Sequence, residues 1–242
     1  MVTESTPRQA STSRPAHAVP ALARRTAGLL LLSLLLFVVP ALAGAARAES
    51  APQGTFIYTI SRDGTPIGQQ RMEFVNDGEK LRVISHTELE VTLLGMTIFG
   101  FNQQVEEVYS GDTIMSLTSD ADDDGTARKV NLTLQGDLLK GDYNGNERTI
   151  DPKLITSLFW KVPAVGKTQL IDTLRGKVRD VTVKELGTET LALPVGRVET
   201  RHYQLRGEWE RELWYDGNGI LVAGTRPGPD GTTVRLELQQ RP

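Results

Sequence analysis

From Gly54 to Tyr143 the chain reads as consecutive strands in which apolar residues largely alternate with polar ones, and pairs of Asp, Asn and Gly cut the pattern at short intervals. Leu81, Val83, Leu89, Val91 and Leu93 share one parity, while Arg82, His86, Glu88 and Glu90 take the other. Val130, Leu132 and Leu134 alternate in the same way with Lys129, Asn131 and Thr133. A period of two with one polar face marks antiparallel sheet that is buried on one side. Asp63-Gly64, Asp77-Gly78, Gly111-Asp112, Asp124-Gly125, Gly136-Asp137 and Asn144-Gly145 supply the positive φ angles that tight hairpins need. The chain is therefore expected to be mainly β, an antiparallel meander. So many strands cannot stay flat, so a barrel or half-barrel is expected. The polar parity of the long strands argues against a membrane-spanning barrel, whose outer face must be apolar.

One segment breaks the period. Asp151 is a good helix N-cap, Pro152 suits the first helical position, and Leu154, Ile155, Leu158 and Phe159 fall at helical spacing. These residues predict one short helix of about two turns packed on or in the sheet, held by packing because so short a helix is marginal alone. Strands are expected to resume over 177–185, 188–193, 198–205, 209–215, 220–225 and 232–239.

The N-terminal region has a different grammar. Arg24-Arg25 precedes the apolar run Ala27–Val39, then Pro40, small residues and Ala46-Arg47-Ala48. That order reads as a cleavable signal peptide over residues 1–48, leaving one β-rich domain over 49–242 in the periplasm or outside the cell. The 21 uncharged residues between Arg25 and Arg47 are also nominally long enough to span a bilayer, but Pro40 and the Ala/Gly-rich end favour cleavage. Removing the five arginines and the single acid before Glu49 leaves 22 basic and 29 acidic residues, a net charge near −7. A domain this acidic has no electrostatic footprint for nucleic acid. The chain has no cysteine, which excludes a lipobox, disulfides and thiolate chemistry. The protein is accordingly expected not to be a lipoprotein, and the mature chain to carry no transmembrane segment.

Sites of chemistry are scarce. Asp120, Asp122 and Asp124, followed by Gly125, match the first half of a calcium loop, but the twelfth position is Asn131 instead of a bidentate Glu. A solvated hairpin turn explains them better. His86 beside Glu88 and Glu90 is a weak metal candidate, and a surface histidine on a charged strand is the commoner case. There is no G-x-S-x-G, phosphate loop or dinucleotide fingerprint, so no catalytic residue and no cofactor is expected. The run Leu93-Leu94-Gly95-Met96-Thr97-Ile98-Phe99-Gly100-Phe101 is apolar at both parities. It reads first as a strand or hairpin buried on both sides, and second as an apolar rim at the mouth of a barrel.

Several motifs recur in a recognisable order: G-x-x-I-G from Gly64 to Gly68, E-x-aromatic from Glu107 to Tyr109 leading to Asp124-Gly125, and Asp151-Pro152. Glu189 to Gly196, W-Y-D-x-x-G-I-L from Trp214 to Leu221, and Asp230-Gly231 complete it. The order resembles a family of exported bacterial proteins known only as a domain of unknown function. That resemblance implies a β-rich, partly closed barrel and carries no catalytic residue.

Three roles follow as expectations. The first is a non-enzymatic exported protein that binds a hydrophobic or lipid-like molecule. Its contacts would come from Leu93, Leu94, Met96, Ile98, Phe99 and Phe101, and from Leu158, Phe159 and Trp160. The second is an envelope structural or protein-interaction module, and the third a hydrolase built on carboxylates such as Glu88, Glu90 and Asp124.

Overall fold

A computed structural model describes residues 52–228 and 230–242, and the expected signal peptide lies outside them. Among the described residues fifteen strands form one sheet. They are β1 (Gly54–Arg62), β2 (Thr65–Asn76), β3 (Leu81–Leu93), β4 (Met96–Ser110), β5 (Thr113–Asp123), β6 (Thr126–Gln135), β7 (Leu138–Tyr143) and β8 (Asn146–Ile150). They continue as β9 (Ile155–Thr156), β10 (Gly166–Asp172), β11 (Lys177–Leu193), β12 (Gly196–Gly207), β13 (Arg211–Asp216), β14 (Leu221–Pro227) and β15 (Thr233–Gln240).

The spatial order runs β8 to β1, then β15 back to β9. The first strand thus pairs with the last, and two meanders spread outward from that pair. All neighbours are antiparallel except β9 and β10, which run parallel for two residues. The turns follow the expected chemistry. Asp63-Gly64, Asp124-Gly125 and Asn144-Gly145 each place two successive residues at positive φ, the conformation that matches the twist of a two-residue hairpin. At Gly68 the reason for glycine is contact rather than φ: a Cβ would lie 2.5 Å from Leu89 Cα and collide with the Glu88 carbonyl.

The sheet does not close through hydrogen bonds. Its edges are β8 and β9, which only residues 151–154 separate in sequence. Contacts between strands far apart in the spatial order show how far it curls. The Ile114 amide donates to the Pro152 carbonyl (2.9 Å), and the turn at Gly176 rests against Val130. The expected barrel or half-barrel with a short helix is corrected on two points: the sheet is open, and the described residues contain no helix.

Two apolar clusters explain the missing helix. The larger gathers the inner faces of β1 to β8 with Leu158, Trp160 and Ile171, and Leu154 packs against it. The smaller holds Phe159, Leu170, Val181, Leu205, Leu213 and Tyr215, with Ile155 packed against it. A helix would aim Leu154, Ile155, Leu158 and Phe159 in one direction, whereas the fold needs them in two. The chain is instead irregular. Asp151 Oδ1 accepts the Lys153 amide (2.8 Å), Ile155 and Thr156 join β10, and Phe159 turns at positive φ. Two helical turns gain too little on their own to resist this.

The strands expected over 177–185 and 188–193 are one element, β11, with a bulge between Glu185 and Gly187. β13 and β14 are buried on both faces: Leu213, Tyr215 and Leu221 face the smaller cluster, and Trp214, Val222 and Ala223 the larger.

Candidate functional site

The curled sheet encloses a cleft of about 630 Å³. One wall comes from β1 to β4, with Ile60, Leu89, Val91, Phe99 and Phe101. The opposite wall comes from β13 to β15, with Leu213, Leu221, Val234 and Leu236. Residues 157–159 and 172–175 form its floor. The volume lies within the range of small-molecule sites, and the lining is mostly apolar, as in such sites.

At the mouth stands the β3–β4 hairpin. Its turn is Leu94-Gly95, with φ of +53° and +80°. Leu93, Leu94, Met96 and Ile98 are 57%, 92%, 65% and 52% exposed. The second reading of this run, an apolar rim, is therefore the observed one, and the buried strand is corrected. The missed signal was Leu94-Gly95 itself, which occupies the place of an Asn-Gly turn. Ile98, Phe99 and Phe101 line the cleft, so apolar surface runs unbroken from its wall to the tip. A leucine at positive φ is strained by roughly 1–2 kcal/mol. The other two-residue turns of this geometry carry Asp63, Asp124 and Asn144, residue types that tolerate it.

Of the three residues expected from the helix, Leu158 and Phe159 line the cleft floor. Trp160 does not. It packs edge-on against Phe74 (5.7 Å) and Tyr109 (5.1 Å), and its indole Nε1 donates to Glu107 Oε2 (3.0 Å). Glu107 is fully buried and also accepts the Tyr109 hydroxyl (2.8 Å). Its other oxygen, Oε1, has no well-formed hydrogen bond and faces the Thr156 hydroxyl, which also lacks one. Burial pushes the Glu107 carboxyl above its ordinary range, against the nearby Thr156 hydroxyl and the hydrogen bonds from Tyr109 and Trp160, which favour the anion.

Charge in the cleft was not anticipated. Asp172, fully buried, accepts Arg179 Nη2 (2.9 Å) and Nε (3.3 Å), and its Oδ1 caps the Leu174 amide (3.0 Å). Asp123 takes Arg128 at 2.7 Å and Arg175 at 3.6 Å. Arg62 pairs with Asp230. Arg211 and Arg226 also line the cleft, and no carboxylate pairs with either among the described residues. Burial, then the charge of Arg226, lowers the Arg211 guanidinium to about 10, and burial lowers Arg226 as well. Both remain cationic at neutral pH. The signal available in sequence was parity: Arg211 shares a face with Leu213 and Tyr215, so a cation stood on the buried side of β13.

The acidic loop carries other duties. Asp120 pairs with Lys129 (2.9 Å), Asp122 Oδ1 caps the Gly125 amide (2.6 Å), and Asp124 occupies the turn and accepts the Gly100 amide (3.2 Å). His86 meets Glu88 (3.1 Å), and Glu90 meets Thr97. Glu88 and Glu90 take the opposite parity to Leu89 and Val91, so they point away from the cleft. Among the described residues no three His, Asp or Glu side chains are grouped to hold a metal ion, and no helix is long and apolar enough to cross a membrane.

Fold and cleft together define a β-barrel-like protein with an open, apolar interior. The chain belongs to the family described as Domain of unknown function (DUF6134), whose model matches residues 58–239. Among solved structures it is similar to a β-barrel-like protein of domain of unknown function DUF1849 from Brucella abortus. The identity is 14%, the alignment covers 78% of this chain and 97% of that one, and the TM-score is 0.57. That likeness is one of fold. Weaker matches are a proposed exported protein with a YmcC-like fold from Bacteroides fragilis (11% identity, 78% and 96% coverage, TM-score 0.33) and a proposed lipoprotein from Parabacteroides distasonis (15% identity, 78% and 95% coverage, TM-score 0.28). No curated protein matches the chain.

Proposed function

We propose that this is an exported, non-enzymatic protein that binds a hydrophobic, lipid-like molecule in the cleft between β1–β4 and β13–β15. The observation that carries the reading is the continuity of apolar surface from the cleft wall at Val91, Phe99 and Phe101 to the exposed tip at Leu93, Leu94 and Met96. Monomeric proteins rarely expose such a patch without a use for it. A tip of this kind touches a lipid surface while the ligand enters or leaves. Export rests on the signal-like segment before Glu49.

The test is native mass spectrometry of protein purified from its own cells, with solvent extraction of the same sample. A bound mass that matches an extractable lipid supports the reading. A bare polypeptide that also fails to take up added acyl chains sinks it.

The second reading is an envelope interaction module, and the exposed Leu94 tip is the feature that favours it. Photo-crosslinking from position 94 in cells separates the two. A single protein adduct supports the module, and lipid adducts support the carrier.

A further inference from the structure

Resting on the cleft reading above, we infer that the ligand is a single-chain amphiphile with an anionic oxygen head, a carboxylate or phosphate, held by Arg211 and Arg226 while its tail lies along the apolar wall.

The argument starts from register. β13 and β14 pair Leu213 with Gly224 and Glu212 with Thr225. One step further, on the face shared by Leu213 and Gly224, stand Arg211 and Arg226. Like charges opposite each other on neighbouring strands are destabilising, and desolvating two guanidiniums adds to the penalty. A structural role explains Arg211 in part. Its guanidinium lies over the Trp209 ring at 4.8 Å, and its Nη1 donates to the Glu210 carbonyl (2.8 Å). Nothing of the kind holds the Arg226 side chain, which makes no hydrogen bond or ion pair among the described residues.

The neighbouring carboxylates are already engaged. Asp172 is committed to Arg179 and the Leu174 amide, and Asp123 to Arg128 and Arg175. Four arginines and two aspartates line the cleft, in a chain whose acids outnumber its bases by 30 to 27. The surplus cations are Arg211 and Arg226. Two guanidiniums reaching one cleft from adjacent strands can together hold the oxygens of one carboxylate or phosphate, and such charge-assisted bonds strengthen where water is excluded. Gly224, beside the pair, lines the same cleft, and a Cβ there would touch Leu213 Cδ2 at 3.4 Å. The head site thus continues directly into the apolar part of the cleft.

The experiment compares delipidated wild-type protein with the double variant Arg211→Met/Arg226→Met. The probes are laurate, dodecyl phosphate, uncharged dodecanol and inorganic phosphate, measured by calorimetry. The expected result is that both anionic chains bind wild type at least tenfold tighter than dodecanol, about 1.4 kcal/mol. The double variant is expected to bind all three chains alike, at the dodecanol level. Rising salt should shrink the wild-type preference. The Arg211→Lys/Arg226→Lys variant keeps the charge and should retain part of the preference, which controls for misfolding. Equal binding of dodecanol and laurate by wild type overturns this inference and leaves the cleft reading intact. Failure of every chain to bind overturns both. Inorganic phosphate binding as tightly as dodecyl phosphate overturns the amphiphile and leaves a simple anion site.

Discussion

Trp160 donates its indole N–H to Glu107 across 53 residues of sequence, joining the segment after β9 to the C-terminal part of β4 at 3.0 Å. This bond, with the Trp160 ring packed edge-on against Phe74 and Tyr109, pins the irregular segment into the concave side of the sheet. The result is a floor for the cleft that the sheet alone does not provide. The arrangement has a thermodynamic signature. Burial raises the Glu107 carboxyl above its unfolded value of 4.5, so the folded state holds its proton more tightly than the unfolded state does. The associated stability is fully present below the unfolded value and is lost as pH rises from there through the folded value. Glu107→Gln keeps an acceptor for Trp160 and Tyr109 and offers donors toward Thr156. We expect it to match wild type near pH 4 and to be the more stable protein at pH 8, read as the pH dependence of Tm. Parallel curves for the two proteins would refute the assignment. Glu107→Ala orphans two buried donors and is expected to lose at least about 2 kcal/mol.

Leu94 occupies a left-handed turn position and is 92% exposed. Leu94→Asn relieves backbone strain, because asparagine tolerates this conformation, and should stabilise the fold by about 0.5–1 kcal/mol. The same substitution removes the most protruding apolar group of the rim. A more stable protein with weaker association with lipid vesicles, measured by thermal melting and flotation, is the expected pair of results. Unchanged flotation would separate the tip from any lipid surface.

Gly224 lines the cleft between Leu213 and the arginine pair. Gly224→Leu places a side chain in the path of a bound tail while leaving the β13–β14 ladder intact. Affinity for an acyl chain should fall at least tenfold with a Tm within a few degrees of wild type. Retention of full affinity would place the tail elsewhere.

The motif from Gly64 to Gly68 is expected to be architectural. Gly68→Ala drives a Cβ into the Glu88 carbonyl and Leu89 Cα, both rigid backbone, and should destabilise by more than 2 kcal/mol or prevent folding. Gly64→Ala has open space around it but sits at φ +81°, so its effect should be close to the 1–2 kcal/mol of left-handed strain. Denaturant titration of both variants checks the order. A milder effect at Gly68 than at Gly64 would contradict the packing seen between β2 and β3.

Local chemistry was legible wherever one neighbour decided the outcome. Val130, Leu132 and Leu134 alternate because one face of β6 is buried, and Asp63-Gly64 turns because its φ angles allow little else. The antiparallel β character, the turns and the Asp120–Asp124 hairpin could all be read this way. The likeness to a family of unknown function could be read from the same turn motifs. The segment from Asp151 to Trp160 could not, because its local pattern favours a helix by less than the two clusters gain by drawing Leu158 and Phe159 apart. Nor could the fate of Leu93–Phe101, since an apolar run looks the same whether a sheet covers it or leaves it at an opening. The cleft, and the turning of Arg211 and Arg226 into it, belong to tertiary structure, although the parity of β13 already put Arg211 on a buried face. They depend on how far the sheet curls and on which strands meet across it, and those are sums of long-range contacts that no window of sequence contains.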